Sequence, residues 1–200
     1  EIVLVKTSYK DKDGKSVDVT VSNDDGIRKE TTLEGLNKLK AAFKQDGSTT
    51  AGNSSQVTDG AAAVLLVRRS HAQKLGLPIL GRWIDYAVAG VPPEIMGIGP
   101  AFAIPAVLDK TGLKIDQIDI FEINEAFASQ AVYCCEKLKI DPKKVNPKGG
   151  AIALGHPLGC TGSRQIATLL PELKRTNTKY GIVSMCIGTG MGAAAIIERE

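Results

Sequence analysis

The sequence predicts an α/β layered domain preceded by a polar, charge-rich segment. Three observations lead there. From Ser48 onward, apolar runs of strand length alternate with stretches of helical period, the pattern of a sheet covered by helices. Glycines punctuate those runs, at Gly76, Gly112 and the cluster Gly188, Gly190, Gly192. Up to Gly47 the chain is instead dense in charge and has only short alternating runs. At 200 residues, with 43% hydrophobic and 24% charged residues and a mean hydropathy of -0.02, the chain can bury one sizeable core.

Taken in order, Ile2 to Val5 and Val17 to Val21 alternate around a Lys12-Asp13-Gly14 turn, which predicts a polar hairpin. Thr32 is placed to cap a short helix whose stripe is Leu33, Leu36, Leu39 and Phe43, with Asp46-Gly47 ending it. The run Ala61 to Val67 is apolar throughout and predicts a strand buried on both faces. A helical stretch around Ser70 to Leu75 follows, closed by Gly76, and Ile79 to Val88 is a further strand. Pro100 to Lys110 predicts a helix ended by Gly112, and Ile118 to Ile123 a short strand. Ala126 to Cys135 carries no formal charge and predicts a largely buried helix. Thr161 to Arg175 is a helix that Pro171 should kink or divide, and Tyr180 to Met185 and Ala193 to Ile197 are strands joined by a glycine-rich turn.

Several function classes lose support at this stage. Twenty-five basic and 22 acidic residues leave a formal charge of +3 without a basic stripe, so no nucleic-acid footprint is indicated. No apolar run has the length of a membrane span, and Glu1 to Lys10 has no signal-peptide pattern. Cysteines at 134, 135, 160 and 186 lack C-x-x-C spacing, and only His71 and His156 could complete a metal shell, so neither a zinc site nor a disulfide framework is predicted. Free thiols suggest a reducing compartment. Cys134, Cys135, Cys160 and His71 read as packing or surface residues.

Chemistry-bearing residues gather in glycine-flanked clusters at strand ends. His156 lies between Gly155 and Pro157; it is either a loop histidine satisfied by a carbonyl or a base and oxyanion donor. Cys186 stands before three glycines in five positions and is either an inert thiol or a proton carrier. Gly188 to Gly192 could suggest a dinucleotide turn, but the run after it reads as a strand where that turn needs a helix. Asn124 could cap the following helix or hold a catalytic water. Ser54 and Ser55 read as turn residues or ligand contacts.

In combination the clusters are specific. Asn124-Glu125-Ala126-Phe127-Ala128, then the glycine-rich run Gly149 to Gly162 around His156-Pro157, then Cys186-Ile187-Gly188-Thr189-Gly190, resemble the thiolase family in order and context. The runs Thr50 to Ser55 and Ser184 to Gly192 look most like its peroxisomal members. The resemblance implies a layered domain with a mixed sheet and a buried central helix. It assigns residues 1 to 47 to the end of the loop domain and 48 to 200 to the C-terminal domain, the N-terminal domain being absent. It implies thiolysis of 3-ketoacyl-CoA by CoA in fatty-acid beta-oxidation, in a peroxisomal homodimer, with CoA a substrate and no cofactor or metal. By the same resemblance His156 activates the nucleophile and donates to one oxyanion beside a water held by Asn124, Cys186 carries protons, the Gly188 N–H serves a second oxyanion hole, and Ser55 touches the pantetheine arm. No cysteine here matches the family's nucleophile, which leaves a catalytically incompetent CoA-binding or dimerisation module as the alternative.

Overall fold

The computed structural model describes residues 1–200. The charge-rich segment forms an antiparallel hairpin of β1 (Val5–Lys10) and β2 (Ser16–Val21), with Val5 opposite Val21 and Lys10 opposite Ser16. Its first strand therefore lies later than the alternating run Ile2 to Val5 suggested. The turn forms because Asp11 Oδ1 accepts from the amides of Asp13 and Lys15 and Gly14 takes φ 77°. Thr32 caps α1 (Leu33–Asn37) through Gly35 N, as predicted. The helix stops there rather than running to Phe43: none of its residues is buried, so packing adds little to a short helix that is marginal by itself.

The largest departure is at Ala61 to Val67. These residues form no strand, and Leu65 and Leu66 are 77% and 69% exposed. A strand needs a partner edge for its backbone groups, and this stretch lies beside none in the chain. Next come α2 (Arg69–Lys74), with Gly76 at φ 64° after it, and the ten-residue β3 (Gly81–Gly90).

The compact part is a four-stranded mixed sheet in the order β3, β6 (Met191–Arg199), β5 (Tyr180–Ile187), β4 (Ile120–Ile123). β4 runs parallel to β5, whereas β6 is antiparallel to both β5 and β3. One face packs on α3 (Pro100–Thr111), through Ala103, Ile104, Val107, Phe121, Ile123, Ile182 and Ile196. The other packs on α6 (Thr161–Thr176), through Ile120, Leu169, Leu173, Val183, Ala195 and Ile197. Each of the buried Val, Leu, Ile and Phe side chains contributes about 1.5–3 kcal/mol. Alternation along β4 thus sends Phe121 and Ile123 to α3 and Ile120 and Glu122 to α6. Pro171 does not divide α6: its ring lies on the exposed side, where the Ala167 carbonyl that loses a donor can tilt toward water.

Between these elements lie α4 (Ala128–Leu138) and the single turn α5 (Ala151–Leu154). Helix α4 forms where the uncharged run predicts it, but only one face is buried, by Gln130, Ala131 and Cys134. Val132 and Tyr133 face outward at 53% and 41% exposure.

Candidate active site

The site forms where the parallel pair β4 and β5 ends, the edge at which α/β sheets hold ligands. β4 ends at Ile123, opposite Ser184, and the next amide, Asn124 N–H, donates to the Ser184 carbonyl at 2.9 Å. Asn124 is therefore fixed at the strand's tip, on the α6 side with Glu122. It does not cap α4. The free amides of Ala126 and Phe127 are taken by Gln130 Oε1 instead, at 3.0 and 3.4 Å, which frees the Asn124 side chain. Its Nδ2 reaches His156 Nε2 at 3.2 Å, and its Oδ1 is buried with no donor in the protein.

His156 is carried by the loop after α5. Gly155 lets the chain turn at φ 94°, and any Cβ there would lie 2.4 Å from Thr58 Cγ2. The His156 amide donates to the Gln56 carbonyl at 2.8 Å, while Ser55 N–H donates to the Ala126 carbonyl at 2.9 Å. The Ser54 to Gln56 segment thus ties the Asn124 loop to the His156 loop, and Ser55 lies half-buried at that junction. On its other side the imidazole meets Thr161, with Nδ1 2.6 Å from Oγ1. Burial and then the Arg164 guanidinium hold the imidazole below its ordinary pKa, so it is neutral near pH 7.

Cys186 lies near the end of β5 and Gly188 just beyond it. Met185 faces α6, touching Gly162, so by alternation Cys186 faces α4. Cys186 and His156 therefore flank the strand ends from opposite sides and share no hydrogen bond. Burial pushes the Cys186 thiol up, so it keeps its proton at neutral pH. The three glycines after it have different roles. Gly188 has open space where a side chain would stand, Gly190 turns at φ 100° against the Val91 carbonyl, and Gly192 packs on the backbone of Gly99. Only Gly188 leaves its backbone uncovered. The strand β6 follows at once, which removes the dinucleotide reading.

Sequence reasoning missed two supports. Glu125 reaches across to the His156 loop: its Oε1 accepts from Asn146 Nδ2 at 2.7 Å and its Oε2 from Ile152 N at 3.2 Å. Gly150 makes room, since a Cβ there would lie 2.1 Å from the Glu125 carboxyl carbon. The second is Glu122, fully buried, 3.3 Å from Arg164 Nη1, with Oε1 unpartnered. A carboxylate two residues before Asn124, and an arginine in the first turn of the helix after His156, are the signals that could have found it.

Desolvation outweighs the arginine and pushes the Glu122 carboxyl up to about 7. A folded pKa raised from 4.5 means the contribution to stability is fully present below pH 4.5 and is lost as pH rises through about 7. Urea denaturation is expected to show stability falling across that window by up to about 3 kcal/mol, and Glu122→Gln should flatten the fall. An unchanged slope in the variant would remove Glu122 as its source.

Comparison with known proteins decides the family. The model of the thiolase C-terminal domain matches residues 77–199, and that of the thiolase N-terminal domain matches residues 1–70. The chain belongs to the thiolase family. It is 68% identical over 199 residues to the human protein "3-ketoacyl-CoA thiolase, peroxisomal", covering 99% of this chain and 47% of the relative. The crystal structure of the dimeric peroxisomal thiolase of Saccharomyces cerevisiae superposes with a TM-score of 0.86 at 60% identity, over 97% of this chain and 48% of that one. A Bacillus anthracis acetyl-CoA acetyltransferase structure gives 0.92 at 44% identity, over 98% and 49%. The chain thus spans about half the length of the thiolases it matches. The N-terminal-domain match ends at residue 70, just beyond the unpaired Ala61 to Val67 run.

Proposed function

We propose that this chain is the acid/base and oxyanion half of a 3-ketoacyl-CoA thiolase, which cleaves 3-ketoacyl-CoA with CoA to acetyl-CoA and a shortened acyl-CoA in fatty-acid beta-oxidation. The observation that carries the reading is the direct contact of Asn124 with His156 at the tip of β4. The similarity to peroxisomal thiolases, over the whole length of this chain, supports the same reading together with peroxisomal location. The dimeric yeast relative supports a homodimer.

In this reading neutral His156 takes the proton of a thiol supplied by the other half, returning it to the sulfur when CoA expels that thiolate at the end of the cycle, and the thiolate attacks the 3-keto carbon. The imidazolium then donates to an oxyanion beside a water held by Asn124, whose buried Oδ1 is free to accept from it. The bond between the α and keto carbons breaks, and its electron pair leaves as the acetyl-CoA enolate. That carbon takes the Cys186 proton. The Cys186 thiolate next removes the proton of incoming CoA, whose sulfur attacks the acyl-enzyme and releases the shortened acyl-CoA. A thiol that keeps its proton until the carbanion forms suits the first of these transfers. The Gly188 N–H would serve the second oxyanion, where fixed donors contribute several kcal/mol, and Ser55 would contact the pantetheine arm. CoA enters as a substrate, with no further cofactor.

The test is thiolysis of 3-ketoacyl-CoA by this chain and by a full-length protein carrying it. Turnover by the full-length protein alone is the expected result. Absence of turnover from both would favour a CoA-binding or dimerisation module.

A further inference from the structure

We infer that Thr161 is the positioning residue that fixes the tautomer of His156, holding its proton on Nδ1 so that the Nε2 lone pair faces Asn124 and the site. This deepens the thiolase reading and rests on it for the meaning of the base, though not for the geometry.

Two ends of one hydrogen-bond chain favour the same tautomer together. Thr161 Oγ1 lies 3.2 Å from the Pro157 carbonyl and 2.6 Å from His156 Nδ1. A hydroxyl has one proton, and a carbonyl can only accept. With its proton on the Pro157 carbonyl, which also accepts the Cys160 and Thr161 amides at 2.7 and 3.0 Å, the Thr161 hydroxyl has lone pairs left to accept from Nδ1–H. At the other end the amide Nδ2 of Asn124 can only donate, so Nε2, 3.2 Å away, must present a lone pair. The opposite tautomer would set two donors against each other at Asn124.

The surroundings keep this arrangement in place. Thr161 is 1% exposed, so no bulk water can replace its hydroxyl. Its helical turn is anchored to β4: Arg164 pairs with Glu122, and Gln165 Nε2 donates to the Glu122 carbonyl at 2.9 Å. Asn124 directly follows β4, so both partners of the imidazole are held against the end of one strand. A base oriented by a third group is the general device for activating a nucleophile, and here the third group is a neutral hydroxyl instead of a carboxylate.

The test is NMR of the 200-residue chain labelled with 15N-histidine at neutral pH. Its two histidines are separated by a His71→Gln variant. Wild-type His156 is expected to carry its proton on Nδ1, Thr161→Val to shift part of the population to Nε2 against the remaining Asn124 contact, and Thr161→Ser to restore the wild-type population. A proton on Nε2 in the wild type, or no change in Thr161→Val, would overturn the inference; if Val is not tolerated in the fold, the wild-type tautomer decides alone. In a full-length protein carrying the segment, Thr161→Val should lower kcat about 10- to 100-fold, the size of loss seen when the partner orienting a metal-bound imidazole is removed. KM should change little, and Thr161→Ser should recover the rate. The expected tautomers without turnover in any form would leave this inference standing and remove the thiolase reading.

Discussion

His156→Ala in a full-length protein carrying this segment is expected to lower kcat for 3-ketoacyl-CoA thiolysis by about 10²- to 10⁴-fold and to leave the fold intact. The ring does two jobs in the proposed reaction, as base for the thiol and then as donor to an oxyanion, and no other side chain stands ready for either. Asn124 is an amide, Thr161 a hydroxyl, and Cys186 faces the other side of β5. The fold should survive because His156 is a half-buried loop residue, outside both core clusters. Steady-state rates with circular dichroism check both halves of the statement. Near-normal turnover in a folded variant would remove His156 from the chemistry.

Gly192→Ala is expected to cost stability of at least about 3 kcal/mol, the upper part of the usual overpacking range, and Gly188→Ala less than about 0.5 kcal/mol. Both glycines belong to one motif, yet their surroundings differ. A Cβ on Gly192 would lie 2.2 Å from the carbonyl group of Gly99, and one on Gly99 would lie 2.6 Å from Gly192 Cα. The obstacle on each side is backbone, so no side chain can rotate away, and the start of α3 would have to leave β6. Nothing stands within 4 Å of the equivalent point on Gly188. Urea unfolding of the two variants measures the difference. Similar midpoints would contradict the packing role assigned to Gly192.

What could be read from the chain follows how local each cause is. The helix α3, the end of α2 at Gly76 and the β5–β6 hairpin depend on periodicity and on glycine placement within a few residues, and all three appear where expected. The Ala61 to Val67 run has strand composition, but a strand exists only against another, and no strand of the structure pairs with this run. The uncharged run of α4 likewise indicated a helix and overstated its burial, because lack of charge does not say what will cover Val132 and Tyr133.

The candidate site could be nominated from sequence as a set of residues and not as an arrangement. His156, Asn124, Cys186 and Gly188 all stand out by their glycine-rich or strand-end settings. Whether Asn124 caps a helix or faces the site was undecidable in sequence, since the answer depends on Gln130 taking the free amides of Ala126 and Phe127. Glu125 and Thr161 were hidden for the same reason: each acts through a partner 27 or 5 residues away whose position is set by tertiary packing.

The most direct test of the central claim is to incubate a full-length protein carrying this segment with acyl-CoA, digest it and locate the acylated cysteine by mass spectrometry. Acylation of a cysteine outside these 200 residues, strongly reduced by His156→Ala, is the predicted result. Acylation of Cys186, or of Cys134, Cys135 or Cys160, would contradict the division of labour proposed for this half of the enzyme.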